Sequence, residues 1–251
     1  VSRSIERAQR QVEEYNFEIR KHLLEYDDVM NKQRQVIYRI RRDVLEDRDV
    51  TDQLHEMIES VVAGAVDQYT PSDVDPVEWD FDGLITRLRV AFGFEPQIPE
   101  SSRVTAGLIE QAVFEAVLAD YARREKTIEA ALRESYRQQI GGDDRHVDFA
   151  GLARKRTHGL ELMVLLRTVD DKWIDHLYSM DYLRDSVRLR AMGQRDPLLE
   201  YKREGFELFQ ELMQAISEDV VHTLFRVTDP ELRKARDLQT SQELTAEKDP
   251  M

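Results

Sequence analysis

Several groups of residues in this sequence have types and spacings that could do chemistry. Asp27-Asp28 and Asp170-Asp171 are adjacent carboxylates of the sort that general acid–base catalysis uses. Neither pair comes with an adjacent histidine, a glycine loop or a pocket signal, so both read as charge on a helix surface. Asp143, Asp144, His146 and Asp148 offer enough donors to hold a cation, but after Gly141-Gly142 they read better as a loop between helices. Cysteine is absent, which excludes a disulfide framework and a thiolate metal site. No glycine is followed by lysine, which excludes the P-loop that cradles nucleotide phosphates. The strongest remaining signal is a basic cluster. Between Arg184 and Arg203 six basic residues (Arg184, Arg188, Arg190, Arg195, Lys202, Arg203) face three acids (Asp185, Asp196, Glu200), a local +3 in a chain of −14. Met192 sits at its centre, a flexible apolar side chain suited to adaptable contact with varied chains, although a solvated turn is the plainer reading of such a cluster.

The elements that position these residues are helical. The first glycine is Gly64 and the first proline Pro71, and before them apolar residues recur at Ile5, Ala8, Val12, Tyr15, Ile19, Leu23, Tyr26, Met30, Ile37, Ile40 and Val44. Steps of three and four keep side chains on one helical face. A helix from Ser2 to about Asp47 would be on the order of 68 Å long at 1.5 Å per residue. Phe17 with Leu24, Val29 with Val36 and Tyr38 with Leu45 widen the stripe beyond a two-stranded seam, so the helix reads as a scaffold with partners on several sides. Asp28 and Lys32 are placed four apart, acid before base, to support it.

Along the remaining chain, Thr51 is a candidate N-cap for a second helix carrying Leu54 to Tyr69, and Thr70 to Trp79 is an acidic loop. A short amphipathic segment, Gly83 to Phe92, closes at Gly93. Ser101 or Ser102 is a candidate cap for a helix over Thr105 to Ile140. A long helix follows from about Phe149 to Ala191 and carries Trp173. Asp196 caps the next helix, with Pro197 at its first position, and that helix runs to Val227. The last two elements form an αα-hairpin with the basic cluster at its turn. No alternating strand pattern occurs, and the fold class is all-α.

Charged residues are 34% of the chain, which fits an elongated, well-solvated helical protein. The net charge of −14 speaks against a general nucleic-acid or anionic-membrane surface. The longest strongly apolar run, Leu162 to Leu166, is far too short to span a bilayer. The chain opens at Val1 inside a helical pattern with no signal peptide, which reads as a piece of a longer polypeptide.

Long words of the sequence match a known family. Asn16 to Lys21 and Leu23 to Val29 closely resemble the scaffold helix of the SecA family of bacterial preprotein translocase motors. Trp173 to Leu177, Met180 to Arg184, Leu189-Arg190, Gln194 to Pro197 and Glu200 to Glu204 resemble that family's two-helix finger. Glu78-Trp79-Asp80 with Gly83-Leu84 is similar to its helical wing. The resemblance implies a scaffold helix over 1–49, a wing over 50–155, a scaffold return and finger over 156–228, and a polar, disordered tail over 229–251. It implies that Phe17, Arg20, Leu24 and Tyr26 contact motor domains of the same protein. Arg190, Met192, Gly193, Gln194 and Arg195 would form the finger tip that meets preprotein and the SecYEG channel, and Trp173 with Arg190 would help restrain the ATPase.

The family's ATP and magnesium site lies in motor domains, and its zinc tail needs cysteines. This chain is therefore expected to carry no catalytic residue, metal or cofactor of its own. The implied location is cytoplasmic, peripheral at the inner membrane through the channel, with no nucleic-acid partner and a homodimer among the assemblies left open. A structural coiled-coil or oligomerisation module unrelated to secretion is the competing reading. It has no need of a basic, apolar-tipped turn followed by a proline-started helix.

Overall fold

The computed structural model describes residues 2–140, 145–190 and 196–226. Among the described residues six α-helices follow in order: α1 Ser2–Leu45, α2 Thr51–Tyr69, α3 Phe81–Phe92, α4 Ala106–Ile140, α5 Phe149–Arg190 and α6 Pro197–Arg226. Single 3₁₀ turns, Pro76–Glu78 and Glu100–Ser102, punctuate the loops on either side of α3. No strand occurs among the described residues, and the chain is all-α.

The helix boundaries follow local chemistry. Asp80 accepts from the Gly83 N–H at 2.8 Å and starts α3. Gly93 ends that helix in the left-handed region at φ 73°, where a side chain would be strained. Asp196 accepts from the Leu198 N–H at 2.9 Å with Pro197 behind it, as expected for α6. Two expected caps are corrected. Thr51 lies inside the first turn of α2, and its N–H is taken at 2.9 Å by Asp49, whose carboxyl is held below its usual range by hydrogen bonds from Thr51. Thr105, rather than Ser101 or Ser102, starts α4, accepting from the Leu108 N–H at 3.3 Å, because the two serines belong to a 3₁₀ turn.

The chain divides into two compact units. The first takes Val1–Glu46 and Val169–Ala215, and the second takes Asp47–Thr168 and Ile216–Met251. Helices α5 and α6 each contribute residues to both. The second unit has a broad apolar core: Leu54, Ile58, Val62 and Val66 of α2, Leu84, Leu88 and Phe92 of α3, Ile109, Val113 and Val117 of α4, Leu165 of α5, and Ile216, Val220 and Phe225 of α6. Arg124 ties helix ends together inside it. Its guanidinium donates to the carbonyl of Phe225 near the end of α6 and at 3.4 Å to that of Phe92 at the end of α3. Asp120, buried, holds it at 2.8 Å. The carbonyls at a helix C-terminus lack intrahelical partners, so one cation beside two such ends satisfies both.

The first unit is narrower. Ile37, Ile40 and Val44 of α1 are buried, as are Val169, Trp173, Met180, Leu183 and Val187 of α5 and Tyr201 and Leu212 of α6. Met180, Leu183, Val187 and Tyr201 form one cluster, packed against Tyr26, Val29, Met30 and Leu208.

Candidate functional site

The first unit brings α1, α5 and α6 together around Trp173. Helical spacing alone puts Val169, Trp173, His176 and Met180 on one face of α5, and all four are buried. The Trp173 ring stacks on the His176 imidazole, with centroids 5.5 Å apart and planes 28° apart. Phe209 of α6 also meets that imidazole, at 5.8 Å in an edge-on arrangement. From α1, Gln33 enters this junction. Its Oε1 lies 3.0 Å from His176 Nε2, and its Nε2 donates to the Gly205 carbonyl of α6 at 2.8 Å. The amide nitrogen faces a carbonyl, so Oε1 must accept, and His176 Nε2 therefore carries a proton. Burial pushes the His176 pKa below its ordinary 6.5 and keeps the ring neutral.

Further contacts flank the junction on either side. Arg41 of α1 reaches Asp170 of α5, with Nε 2.7 Å from Oδ1 and a terminal nitrogen 3.3 Å from Oδ2. Tyr26 of α1 lies against Tyr201 of α6, with centroids at 4.8 Å and planes at 49°. Burial raises the Tyr201 hydroxyl to about 12, so it is a neutral donor at all ordinary pH. Gly205 lies beside Met180 and Val29 in the same unit. A β-carbon there would stand 2.9 Å from Met180 Cε and 3.7 Å from Val29 Cγ1.

The sequence-predicted residues fall differently. Trp173 is buried in the junction. Tyr26 is half-buried on Tyr201, whereas Phe17 and Leu24 are 64% and 68% exposed on α1, and Arg20 is exposed with its Nε donating back to the Asn16 carbonyl at 3.2 Å. The structure does not bring these four together. Arg190 is the last residue of α5, and Met192, Gly193, Gln194 and Arg195 lie outside the described residues. Of the carboxylate pairs, Asp170 serves Arg41 and Asp28 pairs with Lys32 at 2.8 Å on the surface, as helix charges do. Asp148 caps α5 by accepting from the Gly151 N–H at 2.9 Å, while Asp143 and Asp144 lie outside the described residues. Among the described residues no group of His, Cys, Asp or Glu is placed to hold a metal ion. None of the described helices is long and apolar enough to cross a membrane.

Gln33, His176 and Gly205 were missed by sequence reading. The signal for Gln33 is its slot. Tyr26, Met30, Gln33, Ile37, Ile40 and Val44 step by four and three along α1, and Gln33 alone is polar.

A second, smaller junction lies in the other unit. The Tyr121 hydroxyl of α4 donates to Glu161 of α5 at 2.6 Å, and burial and the Glu161 charge raise its pKa steeply. His158 lies 3.6 Å from Glu161 and 3.2 Å from Asp47.

A long helix, a helical second unit and two further long helices seated on the first define a helical scaffold. Residues 1–228 match the family described as the SecA wing and scaffold domain. The chain is 43% identical over 242 residues to the protein translocase subunit SecA of Carboxydothermus hydrogenoformans, covering 94% of this chain and 25% of that protein. Over 227 residues it is 40% identical to that of Desulfotalea psychrophila, covering 90% of this chain and 24% of the relative. It is also 40% identical over 228 residues to SecA 1 of Mycobacterium tuberculosis, covering 91% and 23%. The chain belongs to the SecA family and spans about a quarter of the length of these relatives.

Proposed function

We propose that this chain is the scaffold, wing and two-helix finger part of a preprotein translocase motor. It couples ATP hydrolysis, in motor domains outside this chain, to movement of preprotein through SecYEG, and it restrains their basal turnover. Family membership over 1–228 carries the reading. In it, 1–49 and 156–228 are scaffold and finger and 50–155 is the wing, while ATP and magnesium bind in the motor domains and nothing in this chain is catalytic. Arg190, Met192, Gly193, Gln194 and Arg195 make the finger tip that touches preprotein and channel at the cytoplasmic face of the membrane.

Physical features of the first unit support this. Phe17 and Leu24, with Ile5, Val12 and Tyr15, leave the N-terminal half of α1 apolar and exposed, and such surface calls for a protein partner. The motor domains are the proposed partner, with Arg20 and Tyr26 alongside. The Trp173 junction ties α5 and α6 to α1, so a load on either helix reaches the scaffold through buried, directional contacts. This is the proposed restraint.

Steady-state ATP turnover by the separate motor domains, titrated with this chain, tests the reading. Added chain lowers basal turnover and forms a complex at micromolar concentration, and Trp173→Ala weakens both effects. Unchanged turnover and no complex would overturn the restraint. At the finger tip, Met192→Ala slows transport into vesicles while nucleotide binding persists. Equal transport would reduce Met192 to a turn filler.

A further inference from the structure

We propose that Gln33 is a positioning residue whose amide, held between His176 and the Gly205 carbonyl, fixes α6 in a single position against α1 and α5. The inference stands on geometry and does not depend on a transport role. Gln33 occupies the one polar slot of the seam Tyr26, Met30, Gln33, Ile37, Ile40 and Val44, and it is only 6% exposed. A methionine or leucine in that slot would continue the apolar stripe, so nothing in the packing of α1 calls for an amide there.

Each atom of the amide does a separate job. Nε2 donates to a backbone carbonyl of α6, an acceptor fixed to the helix and not to a movable side chain, at 2.8 Å. Oε1 accepts from His176 Nε2 of α5 at 3.0 Å. His176 in turn contacts the rings of Trp173 and Phe209, the second of which lies one turn along α6 from Gly205. The contacts close a loop: α1 to α6 backbone, α6 ring to α5 imidazole, α5 imidazole back to α1.

The Gly205 carbonyl lies within reach of the amide at 2.8 Å, and a β-carbon at Gly205 would meet the terminal methyl of Met180, which would have to shift to admit it. Apolar contact at that point is non-directional and tolerates small slides and rotations of α6. Hydrogen bonds lose strength quickly when bent, and a buried donor left without an acceptor is costly, so the amide does not tolerate them. Single buried polar residues in apolar helical seams have this effect on register, at a cost in stability. The same logic makes the pin separable from stability: replacing both partners with apolar groups of like shape removes the direction and keeps the burial.

Spin labels at Asp27→Cys of α1 and Gln210→Cys of α6, both exposed, report the position of α6 in the otherwise cysteine-free full chain. The parent gives one narrow distance distribution. Gln33→Met with His176→Phe keeps or raises the melting temperature while the distribution broadens or splits by about 1–2 Å, the size of shift that packed helices allow. Gln33→Met alone removes both the donor to α6 and the acceptor for His176 without adding a charge. It gives the same broadening and serves if the double variant fails to fold. A single distribution of parental width in whichever of these variants folds would overturn the proposal, because packing alone would then hold α6 in place.

Discussion

The two halves of α1 carry the same apolar stripe and meet opposite fates. From Ile37 to Val44 the stripe is buried against this chain's own helices, with Ile37 fully covered. Ile5, Val12, Tyr15, Leu23 and Leu24 are exposed, at half to two-thirds of their full accessibility. Periodicity is a property of the helix, whereas burial is a property of what stands opposite it. In the C-terminal half that partner is α5 and α6. In the N-terminal half no partner belongs to the described residues, and the family relationship supplies a candidate in the remaining three-quarters of the relatives' length.

The largest effect expected on this contrast comes from the buried side. Trp173→Ala removes a ring stacked on His176 and should cost about 3–5 kcal/mol of unfolding free energy by denaturant titration. Loss of less than about 1 kcal/mol would mean that the junction collapses around the gap or was never tightly packed. Ile37→Ala should cost about 2–5 kcal/mol by the same measurement.

An intermediate effect concerns pH. The folded-state pKa of His176 is depressed, so at acid pH the unfolded chain binds a proton that the folded chain resists. The contribution is complete above the unfolded value of 6.5 and is lost as pH falls from there through the folded value. His176→Phe should therefore flatten the acid side of the melting-temperature profile below pH 6.5 and leave the alkaline side unchanged. Parallel profiles for variant and parent would place the acid sensitivity elsewhere.

The smallest effect falls on the exposed half. Phe17→Ala should change the stability of the chain alone by no more than about 0.5 kcal/mol, as for an unpartnered surface residue. A loss near that of Ile37→Ala would break the comparison, since Phe17 would then have a partner within the chain.

How much of this was legible in the sequence follows the same division. Helix α1, the Pro197 start of α6 and the Gly93 stop of α3 were all readable, because spacing, proline and glycine act locally. Cap positions slipped where a neighbour was the better acceptor: Asp49 beside Thr51, and Thr105 three residues past Ser102. The Gln33 junction was not readable as a site. A lone glutamine on α1, a histidine 143 positions later and a glycine on α6 become one network only when three helices converge. The polar slot at Gln33 was visible in the spacing, but its partners were not. Periodicity names no partner for the exposed half of α1 or for the residues after Arg190, and their proposed partners outside the chain rest on the family resemblance alone.

Amide hydrogen exchange along α1, measured with and without the separate motor domains, tests most directly the claim that one helix serves two sets of partners. The segment from Ile5 to Leu24 should exchange fast in the chain alone and become protected when the motor domains are added. The segment from Gln33 to Val44 should be protected from the start and change little. Protection that rises equally in both segments, or in neither, would contradict the account.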